Sequence, residues 1–278
     1  MSVSLKRRIL RRFIRNKSGL VGLVLLSIVV GMAVLADYLA PHDPLEQDII
    51  NRLKPPSLEH PMGTDEFGRD VFSRVVYGAR ISLMVGLVTV ALATAVGVPL
   101  GLVSGYFGGL PDNTIMRAMD VLLAFPGYLL ALAVVSILGP SLMNAMIAVA
   151  IFLIPVYART VRGIVLSVKN LEYVEAARIM GASHLAIIKD HILLNVIPEV
   201  LVLSTFNIAN SILIASALSF LGLGAQPPTP EWGAMVSSSR HYLMIAPWAS
   251  LFPGTMILIA VLAFNLVGDA LNDALRPY

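Results

Sequence analysis

The sequence predicts an all-α membrane protein with six transmembrane helices. Three observations carry that expectation. Of 278 residues, 57% are hydrophobic and only 13% are charged, about half the charged share of an ordinary soluble domain. Six apolar stretches approach or exceed the roughly 20 residues a helix needs to cross the hydrocarbon core. They fall at 19–39, 81–106, 115–137, 142–160, 193–221 and 249–271. Lipid offers the backbone no hydrogen-bond partner, so segments at that depth must be helical. The third observation is an uneven spread of basic residues among the connecting loops, which orients the spans.

The chain opens on a basic tail, residues 1–18, where Lys6, Arg7, Arg8, Arg11, Arg12, Arg15 and Lys17 crowd together. Directly before an apolar run, such a tail reads as a cytoplasmic anchor rather than a nucleic-acid arm. The run from Leu20 to Ala36 is longer than the apolar region of a signal peptide, about 7–15 residues, so 19–39 is expected to persist as the first span. Segment 40–80 is polar and rich in turn residues, among them Pro41, Pro44, Gly63 and Gly68. Within it 70-DVFSRVVYGAR-80 predicts a helix lying on the membrane surface. Its apolar side is Val71, Phe72, Val75 and Val76, with Arg69, Arg74 and Arg80 left in water or headgroups.

The core, 81–278, follows. Gly97, Gly101, Pro126 and Pro155 interrupt its spans and predict bends where neighbouring helices cover freed carbonyls. Asp120 falls near the inner end of the third span, three residues after Arg117, where the two are expected to pair. With both termini inside, the cytoplasmic parts and adjoining span ends hold 14 of the 20 Lys and Arg residues. That places loop 161–192 in the cytoplasm and loop 222–248 outside. In the outer loop Thr229 is expected to cap a short helix with Pro230 at its first position.

Loop 161–192 contains 172-EYVEAARIMGAS-183. Leu171, Val174 and Ile179 fall roughly on helical spacing, and Glu175 and Arg178 stand at i, i+3 where they can pair. Ala176 and Ala177 keep one face flat. Gly181 suits the left-handed position that ends a helix, and Ser183 is placed to cap a second one. The result is a helix–turn–helix knob, suited either to a groove on a soluble partner or to folding back on its own bundle.

Polar side chains at membrane depth are few. Ser204, Asn207 and Ser211 follow 0, 3, 7 spacing and share a face; Asn210 and Asn265 stand nearby in sequence or in the last span. Such groups either join helices or line a wet path. Outside, Gln226, Glu231 and Trp232 are candidate gate or docking residues, as are Arg69 and Arg74.

Several chemistries find no support. Cysteine is absent, so there is no disulfide framework and no thiolate metal site. Neither GxxxxGK[ST] nor HExxH occurs, and Ser183 in GASH has no general-base histidine in any span. No catalytic residue, metal site or cofactor is expected in this chain. An ion-coupled secondary carrier would need buried ionisable groups, yet His42, His60, His184, His191 and His241 lie in loops or at span ends.

Five stretches in order resemble one family: 63-GTDEFGRDVFSRVVYGARISL-83, 125-FPGYLLAL-132, 157-YARTVRG-163, 175-EAARIMGA-182 and 219-SFLGLGAQPPTPEWGAM-235. Together they look like the second permease of the dipeptide, oligopeptide and nickel importers driven by ATP-binding-cassette (ABC) ATPases. One departure is Leu194, where the family's EAA pattern commonly closes with proline; the nearest is Pro198. The resemblance implies the type I ABC importer permease fold, in a bacterial or archaeal cytoplasmic membrane. It implies a coupling helix in which Glu172, Glu175, Ala176, Ala177, Arg178, Gly181 and Ala182 meet a cytoplasmic ATPase. The implied partners are a sister permease, two ATPases that bind ATP and Mg, and an extracytoplasmic substrate-binding protein. Dipeptides, oligopeptides, glutathione, nickel chelates and opines all fit as cargo.

Overall fold

The computed structural model describes residues 12–275; most of the basic tail and Arg276 lie outside them. Helix α1 (Lys17–Val34) begins at Asn16, whose side chain accepts a hydrogen bond from the Gly19 amide. A single turn, α2 (Ala36–Leu39), leads into an irregular segment that ends at Asp70. The main helices then follow: α3 (Val71–Phe107), α4 (Gly109–Leu123), α5 (Gly127–Leu138), α6 (Leu142–Val168) and the short α7 (Glu172–Ile179). After α8 (His184–Ile187) a π-helical stretch, Ile188–Ile192, runs directly into α9 (Leu193–Phe220). The short α10 (Trp232–Ser239) and the long α11 (Trp248–Leu275) complete the bundle.

Among the described residues, five helical stretches are long and apolar enough to cross a membrane. A sixth crossing exists if α4 and α5 count as one, although they meet at 90°. The bend expected at Pro126 in span 115–137 is thus a break between two helices. Pro126 has no amide to donate and disfavours a helical Phe125 before it. Phe152 of α6 fills the space beside Gly127, so that α5 starts in a new direction.

The expected surface helix 70–80 is also corrected. Asp70 caps α3, accepting from the Ser73 amide at 2.7 Å. From there the helix continues unbroken for 37 residues, about 55 Å of rise against a hydrocarbon core of roughly 30 Å. Val71, Val75, Val76 and Ala79 are fully buried, so this apolar side faces protein rather than headgroups. Arg69 and Arg74 are buried with it, and Arg80 stays exposed.

Three large apolar clusters fill the bundle, with a smaller one at Val85, Met146 and Ala215 between α3, α6 and α9. One joins α1, α3, α9, α10 and α11 around Trp232. A second joins α3, α5, α6 and α9 around Tyr157. The third lies at the end that carries α7, the knob end, around Val165, Val174 and Ile187. Between helices in lipid the hydrophobic effect is weak, and close packing of small residues takes its place. Gly97, Gly101 and Gly105 of α3, four apart, show this against α6. A Cβ on Gly101 would stand 2.6 Å from the Ala158 carbonyl oxygen, and one on Gly97 would stand 2.6 Å from Tyr157 Cβ. Gly19 and Gly22 bring α1 onto α11 in the same way.

Gly101→Ile therefore has a predictable cost. Its Cβ meets backbone, which a rotamer change cannot relieve, so the variant should lose about 1–3 kcal/mol of stability. Thermal unfolding of the detergent-purified protein measures this, and an unchanged midpoint would refute the α3–α6 contact.

Candidate functional site

Three regions carry the polar chemistry. The first is the knob. Helix α7 turns Val174 and Ala177 inward, while Glu172, Glu175, Ala176, Arg178, Ile179 and Met180 face out. The two alanines thus divide between inside and outside. No ion pair joins Glu175 to Arg178 among the described residues. Gly181 has φ +85°, and the Ala182 amide donates back to the Ala177 carbonyl at 3.0 Å, closing the helix in the left-handed manner expected. Ser183 accepts from the Ala186 amide at 3.3 Å and caps α8. Side-chain bonds hold the knob to the bundle: Tyr106 Oη to His184 Nδ1 at 2.8 Å, and Asn195 to the Tyr173 hydroxyl at 3.1 Å. The exposed crest is apolar as well as charged, with Ile179 and Met180 each 80% accessible.

Ion pairs brace this end. Arg162 holds Asp112 through two contacts of 2.6 Å, and Lys169 donates to the Gly105 carbonyl at 2.8 Å. Asp120 pairs with Arg159 of α6, not with Arg117. Arg117 stands one turn away on the same helix, whereas packing presents a cation from the neighbouring one.

The second region is a seam between α3, α6 and α9. Ser204 accepts from the buried Tyr157 hydroxyl at 3.1 Å. Asn207 and Ser211 are buried, and Asn207 Nδ2 and Ser211 Oγ find no hydrogen-bond partner among the described residues. Ser82 and Thr89 of α3 are in the same condition. They flank Gly86, whose Cβ position lies 2.8 Å from Ile208 of α9, so this face of α3 meets α9. The 0, 4, 7 spacing of Ser82, Gly86 and Thr89 was the available signal. Asn210 and Asn265 are part-exposed and stand outside this buried row.

The third region is the cap, at the opposite end from the knob. Arg69 Nε donates to Asp65 Oδ2 at 2.7 Å, and its guanidinium approaches Glu66 at 3.6 Å. Arg74 donates to the Pro44 carbonyl at 2.8 Å and faces Asp65 at 3.5 Å. Glu231, rather than Thr229, caps α10: it accepts from the Ala234 amide at 2.8 Å and from the Ser216 hydroxyl at 3.0 Å. Its longer side chain reaches over the first turn, and Pro230 stays outside the helix. Trp232 is fully buried and donates its indole N–H to the Val75 carbonyl at 2.9 Å. Of the five candidate gate or docking residues, only Gln226 is exposed; Arg69, Arg74, Glu231 and Trp232 form the interior of the cap. Beyond α1, Asp37 accepts from Arg80 and Tyr77, and those bonds hold its carboxyl below the usual carboxylate range.

This helical bundle has the fold of ABC importer membrane subunits. The MetNI methionine ABC transporter in an inward-facing form superposes with a TM-score of 0.58 at 19% identity, covering 74% of this chain and 98% of that one. The crystal structure of an amino acid ABC transporter with histidines gives 0.56 at 14% identity, covering 71% and 92%. Residues 97–277 match the family described as binding-protein-dependent transport system inner membrane component, and the chain belongs to it. Residues 4–56 match the N-terminal TM domain of oligopeptide transport permease C. The dipeptide transport system permease protein DppC of Alkalihalophilus pseudofirmus is 47% identical over 276 residues, 99% of this chain and 91% of that protein. The glutathione transport system permease protein GsiD of Pectobacterium atrosepticum is 46% identical over 272 residues, 98% and 90%. The protein is thus an oligopeptide-permease-C-like permease subunit of an ABC importer in the bacterial inner membrane. It is non-catalytic, and ATP hydrolysis belongs to separate subunits.

The divided alanine pair gives a prediction. Ala177→Leu should loosen the knob, costing about 1–3 kcal/mol through overpacking, while Ala176→Leu should leave it intact. Limited proteolysis within 165–195 reads the difference, and equal cleavage of both variants would contradict the assigned faces.

Proposed function

We propose that this permease moves short peptides across the membrane, with both termini and the knob in the cytoplasm and the cap outside. The bias of basic residues toward the knob end supports that orientation. The observation that carries the functional reading is the crest of α7. A soluble loop with no partner seldom exposes Ile179, Met180 and Leu185 at 75–80% beside a rigid, capped turn, since exposed apolar clusters mark interaction sites.

In this reading the crest enters a groove on a cytoplasmic ATPase. Glu172, Glu175, Ala176, Arg178, Gly181 and Ala182 make the contact, and Ala177 anchors it from beneath. Two ATPases bind ATP and Mg and drive the permease between inward-open and outward-open states. A sister permease supplies the other half of the path, and a binding protein delivers cargo to the cap. Relatives named for dipeptide and for glutathione transport are nearly equally similar. Short peptides are the class that contains both cargoes.

The seam supplies neutral hydrogen-bonding groups, suited to peptide amides because no fixed charge holds them tightly. Ser204, Asn207 and Ser211 contribute from α9, joined by Ser82 and Thr89, with Asn210 and Asn265 facing the sister subunit. At the cap Gln226 offers a direct contact to the binding protein. Arg69, Arg74, Glu231 and Trp232 set the shape of the surface that the binding protein meets.

Gly181→Glu tests the coupling. A Cβ there meets nothing within 4 Å beyond its chain neighbours, and its left-handed backbone adds about 1–2 kcal/mol of local strain. The variant should reach the membrane and assemble, yet lose uptake by more than about tenfold, the effect of roughly 1.4 kcal/mol at the contact. Uptake of a labelled dipeptide alongside ATPase rate in vesicles checks this; wild-type uptake would remove the assignment.

A further inference from the structure

We propose that His42, His60 and Asp70 form a binding site for a divalent first-row transition-metal ion, which staples the cap to the start of α3. The three residues come from separate stretches, 18 and 10 positions apart. The fold brings their donor atoms within 4.8 Å of one another. His60 Nδ1 lies 3.1 Å from Asp70 Oδ1, and His42 Nδ1 lies 3.9 Å from Asp70 Oδ2. Around a tetrahedral ion with bonds of about 2.0–2.1 Å, neighbouring donors stand roughly 3.3 Å apart. Small side-chain rotations close the remaining difference.

The polar groups favour an ion over a purely hydrogen-bonded cluster. His42 Nδ1 is buried and has no hydrogen-bond partner among the described residues, a condition that costs about 1–3 kcal/mol. Its ring lies 4.8 Å from that of His60 at an interplanar angle of 31°, and the Nδ1 atoms of both rings approach the one carboxylate. The Asp70 side chain is wholly buried. An ion between the three donors replaces the His60–Asp70 proton bridge and satisfies the orphaned nitrogen together.

The surroundings orient these ligands, as metal sites require. The Ser73 amide and hydroxyl both donate to Asp70 Oδ2 at 2.7 Å. The His42 amide donates to Ser73 Oγ at 3.2 Å, and the His60 amide donates to Ser57 Oγ at 3.0 Å. The triad lines a recess of about 200 Å³ shared with Asp43, Glu46, Asp48 and Glu59. Their negative field concentrates cations, and the recess leaves a coordination position open. Two imidazoles with one carboxylate suit zinc, cobalt, nickel or copper; magnesium and calcium prefer oxygen alone.

The test uses the full chain, purified in detergent with its copurifying subunits and stripped with chelator. Cobalt(II) should bind one equivalent with the visible bands of a low-coordinate site, and zinc should displace it. His42→Ala and His60→Ala should each weaken that binding beyond the about 100-fold cost of an outer-shell change. Ser73→Ala should weaken it by about 10–100-fold. His241→Ala, outside the cluster, should bind as wild type. Zinc should raise the unfolding temperature of wild type and not of His42→Ala. His42→Gln, which keeps a polar side chain, repeats the measurement if the alanine variant is not monodisperse. Binding that survives both histidine substitutions, or no cobalt band in wild type, would overturn the proposal and leave only a hydrogen-bonded helix cap.

Discussion

The contact of α3 with α6 through Gly97, Gly101 and Gly105 is the constraint on which the rest of the bundle depends. In lipid, apolar side chains gain little by leaving one hydrocarbon for another, and close backbone approach supplies the dispersion energy that association needs. Each glycine admits a carbonyl or a Cβ of α6 at a distance no other residue allows. Once the two helices are seated, Tyr157 is enclosed beside Ser204, and Lys169 reaches the Gly105 carbonyl. The seam and the knob are therefore consequences of one packing decision made along α3.

At the cap the balance is different, because charge rather than small size does the organising. Arg69 and Arg74 are buried beside Asp65 and Glu66. Burying ions costs several kcal/mol each, and their mutual attraction repays it only when geometry is close. Such a cluster adds little net stability. It does make alternative arrangements expensive, since displacing Asp65 would strand two guanidinium groups. Trp232 adds a neutral lock by joining α10 to the Val75 carbonyl of α3.

Much of the fold was legible because lipid imposes a simple rule on hydropathy, and the spans follow it. The knob was legible for a local reason: Gly181 and Ser183 work through backbone positions two to five residues away, well within a sequence window. Partner choice was not legible. Asp120 has Arg117 three residues away, yet Arg159 from α6 takes it. The 70–80 segment has the periodicity of an interfacial helix, and nothing in that pattern distinguishes lipid headgroups from α10 and α11. His42, His60 and Asp70 likewise appear as scattered loop residues until the irregular segment folds back. In each case the deciding contact lies across the fold, where local periodicity carries no information.

Helix α3 has a mechanical meaning beyond its length. It is one continuous helix, with Pro99 in its later half, whose first turn belongs to the cap and whose last turn is tied to the knob end through Lys169. A rod of about 55 Å tilted by about 10° around its middle swings each tip by roughly 5 Å in opposite directions. To the extent that the helix stays stiff through Pro99, motion delivered at one end arrives at the other reversed in sense. No chain of intermediate side chains has to relay it.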